Sequence, residues 1–215
     1  MSQNASRPIV PTHDSIRQWV VLVSLVIAIG GSLIGSGALG GTPIGEAAGG
    51  ALSADATRIA PAVPAFSIWS VIYLGLAIYA VWQLLPAHKS DPRQRRLGYS
   101  MAASLVLNAA WILSVQAGLL ALSAVMIVLL LAVLAYAFRL CIITRPSNVM
   151  EAIAVDGVVG LYLGWVCGAT VANITARLTG EPHSVPTAIA ALATVTVVMG
   201  VTVVCRLRVP AGVSA

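Results

Sequence analysis

The side chains best placed for chemistry in this sequence are aromatics and amides at helical spacings. Between positions 157 and 173, a turn of about 100° per residue puts Tyr162, Trp165, Ala169 and Asn173 on one face, while Gly157, Gly160, Gly164 and Gly168 share roughly the opposite one. Phe66, Trp69 and Tyr73 follow one another at spacings of three and four, and Ser104, Asn108, Trp111 and Val115 form a third co-facial set. Trp and Tyr faces stack on flat apolar molecules, and an indole N–H, a phenol or an amide can orient a polar edge, so this is the chemistry of binding. Each residue also has a plainer use. Phe66 suits an interfacial aromatic belt, Asn108 serves equally as a helix-to-helix hydrogen bond, and Asn173 reads as a packing amide.

Other residues speak less strongly for chemistry. His13, His88 and His183 lie in connecting segments, and Cys141, Cys167 and Cys205 are widely separated within apolar runs, so neither a metal set nor a nucleophile with its base is indicated. Gly35, Gly37 and Gly40 match the glycine pattern of a dinucleotide site, but inside an apolar run that pattern serves close helix packing. Asp156 stands near the start of an apolar run with no evident membrane cation beside it, which argues against ion-coupled transport.

The elements that carry these residues must cross a membrane. The chain is 59% hydrophobic and 9% charged, far from the balance of a soluble domain. Its apolar runs approach or exceed the roughly 20 residues of a membrane-spanning helix, without the period-two alternation of a barrel strand. An all-α, polytopic helical bundle of six spans is expected, at about 18–39, 66–85, 97–119, 121–143, 152–178 and 185–205. A cytoplasmic leader, 1–17, precedes the single bundle, 18–206, and a cytoplasmic tail, 207–215, follows. The connection 41–65, rich in Gly, Ala and Pro, is expected to fold over one end as a lid. Its exit is stiffened by Pro61 and Pro64.

The net charge of +5 does not point to nucleic acid, because the basic residues sit between apolar spans. With six spans, Arg7, Arg17, Lys89, Arg93, Arg95, Arg96, Arg139, Arg145, Arg206 and Arg208 fall on one side and only Arg58 and Arg177 on the other. The positive-inside rule then makes both termini cytoplasmic, in the plasma or inner membrane of the cell.

Three blocks together resemble the translocator protein or tryptophan-rich sensory protein family (TspO/MBR). Tyr162, Trp165, Ala169 and Asn173 are similar to its Tyr-x-x-Trp-x-x-x-Ala-x-x-x-Asn, Leu107, Asn108 and Trp111 to its Leu-Asn-x-x-Trp, and Trp69 and Tyr73 to its Trp-x-x-x-Tyr. The order and separation of the blocks agree over roughly 60–178. A divergent branch is indicated. The family's Trp-x-Pro-Pro is reduced to Pro61 and Pro64, Leu161 replaces a proline, and the sixth span is additional to the usual five.

The resemblance implies a bundle enclosing a lipophilic cavity that takes porphyrins, sterols and related molecules. Carried over residue by residue, it makes Trp69, Tyr73, Asn108, Trp111, Tyr162, Trp165 and Ala169 the cavity lining. No cofactor is expected, and a porphyrin or haem precursor would be a ligand. The expected partners are membrane lipid and a lipophilic small molecule, with the Gly-rich faces open to a homodimer. A sensor or regulator is the leading function. The alternatives are facilitated passage of lipophilic molecules and light- or oxygen-dependent porphyrin breakdown, which asks of the protein only electron-rich Trp and Tyr near the ring.

Overall fold

The structure, a computed structural model, describes residues 12–56 and 60–179. The expected sixth span, the tail, Cys205, His183 and Arg58 lie outside the described residues, as does most of the leader. Among the described residues, five long helices make up the bundle: α1 (Thr12–Gly35), α2 (Ile68–Leu84), α3 (Pro92–Gln116), α4 (Leu120–Ile143) and α5, which runs 149–179. Each is long and apolar enough to cross a bilayer, α2 together with the turn Val63–Ser67 that leads into it. The chain is an all-α membrane bundle.

Local sequence explains where the helices begin and turn. Asp91 caps α3 by accepting a hydrogen bond from the Arg93 N–H at 2.8 Å, with Pro92 pre-set for the first helical position. That cap draws Arg93, Arg95 and Arg96 into the first turns of α3, where the sequence suggests a loop. Asn148 caps α5 through the Glu151 N–H at 2.9 Å. Gly118, at φ +72°, makes the tight reversal between α3 and α4. The leader needs a correction at its end, since α1 already starts at Thr12. Asp14 and Arg17 are held there by partners on other segments and are 3% and 1% exposed.

Around the bundle the order is α1, α3, α4, α5, α2 and back to α1. Helix α3 is central and buries Leu97, Met101, Leu105 and Ile112 among its neighbours. Close backbone approach occurs where glycines meet bulk. A Cβ on Gly35 would lie 2.3 Å from Ile112 Cγ1, and one on Gly31 would lie 3.3 Å from Ala109 Cβ, so the glycine run of α1 packs on α3. On α2, Gly75 admits Val158 of α5 in the same way. On the glycine face of α5, by contrast, only Gly160 meets a side chain of another helix, the Phe138 ring; among the described residues nothing comes within 4 Å of a Cβ at Gly164 or Gly168.

The two ends differ. Arg17, Lys89, Arg93, Arg95, Arg139 and Arg145 gather at one, the basic end. The other, the aromatic end, is covered by the segment between α1 and α2. Ala47 and Leu52 of that segment are buried against the core, and Thr42 is clasped by Gln116, whose Oε1 accepts from the Thr42 N–H at 3.1 Å and whose Nε2 donates to the Thr42 carbonyl at 2.6 Å.

Candidate ligand-binding site

Trp69 is the hub of the aromatic end. It enters from the first turn of α2, just after the one-turn segment Val63–Ser67, in which Pro64 sets the turn and the Ser67 hydroxyl donates to the Pro64 carbonyl at 2.8 Å. Its ring centroid is 5.7 Å from Tyr73, 6.1 Å from Trp111, 6.0 Å from Tyr162 and 6.2 Å from Trp165. Trp111 lies nearly parallel to it, at 26°, whereas Tyr162 and Trp165 present edges. Phe66 meets Trp165 edge-on at 6.0 Å. These are the offset-stacked and edge-to-face geometries that aromatic quadrupoles favour.

The rings stand beside two hollows. The larger, of about 650 Å³, lies between the end of α1, the covering segment, α2 and α3; Phe66, Trp69, Tyr73, Asn108 and Trp111 line it with Ile44 and Leu52. Its volume is that of a site for a drug-sized molecule. The smaller, about 30 Å³, is a slot on the α5 side of Trp69, bounded by Phe66, Trp69, Trp111, Trp165, Ala169 and Asn173 and roofed by Ile44, Leu52 and Pro61. Trp69 borders both, as do Phe66 and Trp111.

The expected lining residues therefore divide. Trp69 and Trp111 border both hollows, Tyr73 and Asn108 the larger only, and Trp165 and Ala169 the slot only. Tyr162 borders neither. It is fully buried behind Trp69, and its hydroxyl donates to the Ser104 carbonyl at 3.4 Å. Asn173 accepts from the Ser123 hydroxyl at 3.2 Å, which ties α5 to α4 while its side chain also reaches the slot.

The polar atoms of the site are only partly paired. Asn108 Nδ2 donates to the Tyr73 hydroxyl at 2.7 Å, and that hydroxyl donates to the Ala28 carbonyl of α1 at 3.2 Å. A chain across three helices fixes the Tyr73 ring and leaves Asn108 Oδ1 as a buried acceptor with no hydrogen-bond partner among the described residues. Trp111 Nε1, Trp165 Nε1 and Asn173 Nδ2 are buried donors in the same condition. Unpaired buried polar atoms are costly, and all four belong to residues that border one or both hollows.

A second constellation was hidden in the sequence. At the basic end Arg93 Nη1 donates to Glu151 Oε1 at 2.8 Å, its Nη2 donates to Asp156 Oδ1, and its Nε donates to the Thr144 carbonyl at 2.8 Å. Asp156 thus has a cation, contrary to the expectation from sequence. Glu151 and Asp156 are five residues apart, which an α-helix would splay to different faces; the π-helical stretch Ala152–Gly157 brings both to Arg93. The visible signal was only the number of charges at span ends, which reads equally well as topology.

Compared with known proteins, the chain is matched by the family model for TSPO-like proteins over residues 18–211. No curated protein and no solved structure matches it.

Proposed function

We propose a ligand-binding role for this chain, which belongs to the TSPO-like protein family: a membrane sensor or regulator that takes a planar lipophilic molecule, of the porphyrin, sterol or isoprenoid kind, between α1, α2 and α3. The observation that carries this reading is Trp69, one indole in contact with aromatic rings from three helices and bordering a hollow of about 650 Å³. Flat apolar ligands suit such a wall because they replace ring-to-ring contacts with contacts of the same kind. Trp111 Nε1 and Asn108 Oδ1 offer one donor and one acceptor for a polar edge.

The covering segment supports the reading as well. It buries Leu52 and places Ile44 over both hollows, and it is tied to α3 by the exposed Gln116 clasp. A few hydrogen bonds of this kind hold a lid closed without fixing it, since each contributes about 1 kcal/mol.

The test is purification from native membrane in mild detergent, followed by mass spectrometry of co-purifying small molecules. The proposal expects a flat, largely apolar molecule that is retained by the unmodified chain and lost from Trp69→Ala. Retention of the same molecule by that variant, or only bulk phospholipid in both, would overturn it.

A further inference from the structure

The basic end contains a hollow that the aromatic site does not use. It measures about 240 Å³, lies between the start of α1 and the start of α3, and is lined by His13, Asp14, Arg17, Arg95 and Tyr99. Its charges are unequal. Arg95 grips the only carboxylate, with Nε donating to Asp14 Oδ1 at 2.7 Å and Nη2 to Oδ2 at 2.6 Å. Arg17 lines the same hollow, so two guanidinium groups stand there beside one carboxylate.

Arg17 is the most exacting member. Its side chain is 1% exposed, and its stem lies against the α3 backbone at Gly98, where a Cβ would come within 2.7 Å of Arg17 Cδ. One nitrogen, Nη2, donates to the Lys89 carbonyl at 2.9 Å; among the described residues Nε and Nη1 have no hydrogen-bond partner. A guanidinium drawn out of water needs a counter-charge, and the carboxylate that lines the hollow with it is already engaged by Arg95.

We propose that this hollow binds a phosphate-type anion. Arg17 and Arg95 supply the charge, and Tyr99, half exposed at the rim, supplies a hydroxyl. The anion has two natural sources, the headgroup of an anionic phospholipid or free phosphate. The surroundings suit the first. Trp19 and Ile16 on the outer face of α1 are 62% and 52% exposed, an apolar track beside which an acyl chain can lie, and basic clusters at helix ends attract anionic headgroups.

The experiment uses the full chain in an uncharged detergent and follows its thermal unfolding midpoint during titration at fixed ionic strength. Three additives are compared: phosphatidylglycerol, phosphatidylcholine and inorganic phosphate. The expected result is a saturable rise with phosphatidylglycerol and none with phosphatidylcholine, as binding to the folded state requires. In Arg95→Gln the apparent affinity falls by roughly fivefold, the equivalent of one cation near a membrane surface. Arg17→Gln does the same if it folds, and Arg95→Gln carries the test if it does not. A similar saturable rise with inorganic phosphate also upholds the site and makes free phosphate the source. Equal stabilisation by phosphatidylcholine, no saturable effect of either anion, or an unchanged affinity in Arg95→Gln would overturn the proposal.

Discussion

The indoles of Trp69 and Trp111 stack with centroids 6.1 Å apart and planes 26° from parallel, joining α2 to α3 across a part of the bundle where the two backbones stand apart. The two helices are not neighbours in the bundle, and both rings border the hollow of about 650 Å³ that lies between them and the end of α1.

The chain from Asn108 to Tyr73 to the Ala28 carbonyl should behave as a unit. Tyr73→Phe is expected to cost about 0.5–1.5 kcal/mol in a detergent unfolding titration, the range for a hydrogen bond between membrane helices. Combined with Asn108→Leu, the total should fall short of the sum of the single changes, because Tyr73→Phe already removes the Asn108 partner. Strict additivity would show that the two side chains are not linked.

Arg93 satisfies Glu151 and holds Asp156, and both Arg93 and Glu151 are buried. Arg93→Met is expected to destabilise the bundle by about 3–5 kcal/mol, because it leaves carboxylates without their cation. Adding Glu151→Gln and Asp156→Asn should recover most of that loss. If Arg93→Met alone proves neutral by the same titration, the triad has no structural weight.

Gly35 of α1 and Ile112 of α3 both line the larger hollow and leave no room for a Cβ between them. Gly35→Val should cost about 1–3 kcal/mol through overpacking. Ile112→Ala should relieve part of it in the double variant. A Gly35→Val protein as stable as the unmodified chain would mean that α1 can withdraw from α3.

The Gln116 clasp predicts a kinetic effect. Gln116→Ala removes both hydrogen bonds to Thr42 and should speed ligand release by about threefold to thirtyfold with little change in thermal stability. Stopped-flow displacement of a bound porphyrin measures this directly, and an unchanged release rate would show that the covering segment does not gate the site.

Periodicity made much of this legible in the sequence. Trp69, Tyr73, Asn108, Trp111 and Trp165 repeat at helical spacings on spans that apolar length alone marks out, and these residues converge at one end. Two things were not legible. Tyr162 shares the face of Trp165, yet a face does not say whether the neighbour across it is a hollow or another ring, and Trp69 fills that place. The Arg93 triad depends on a local π-helical turn and on partners 58 and 63 residues away in the chain, which no spacing rule for α-helices brings together.

The central claim is that a flat lipophile binds against Trp69 and its ring partners. Protoporphyrin binding, followed by the shift of its visible absorbance on titration with purified protein, tests this without depending on the protein's own fluorescence. The unmodified chain should bind saturably, and Trp69→Ala with Trp111→Ala, the two indoles that line the larger hollow, should weaken binding at least about tenfold while helical circular dichroism is retained, since each stacking ring contributes about 0.5–1.5 kcal/mol beyond its buried area. An unchanged dissociation constant in that folded double variant would contradict the account.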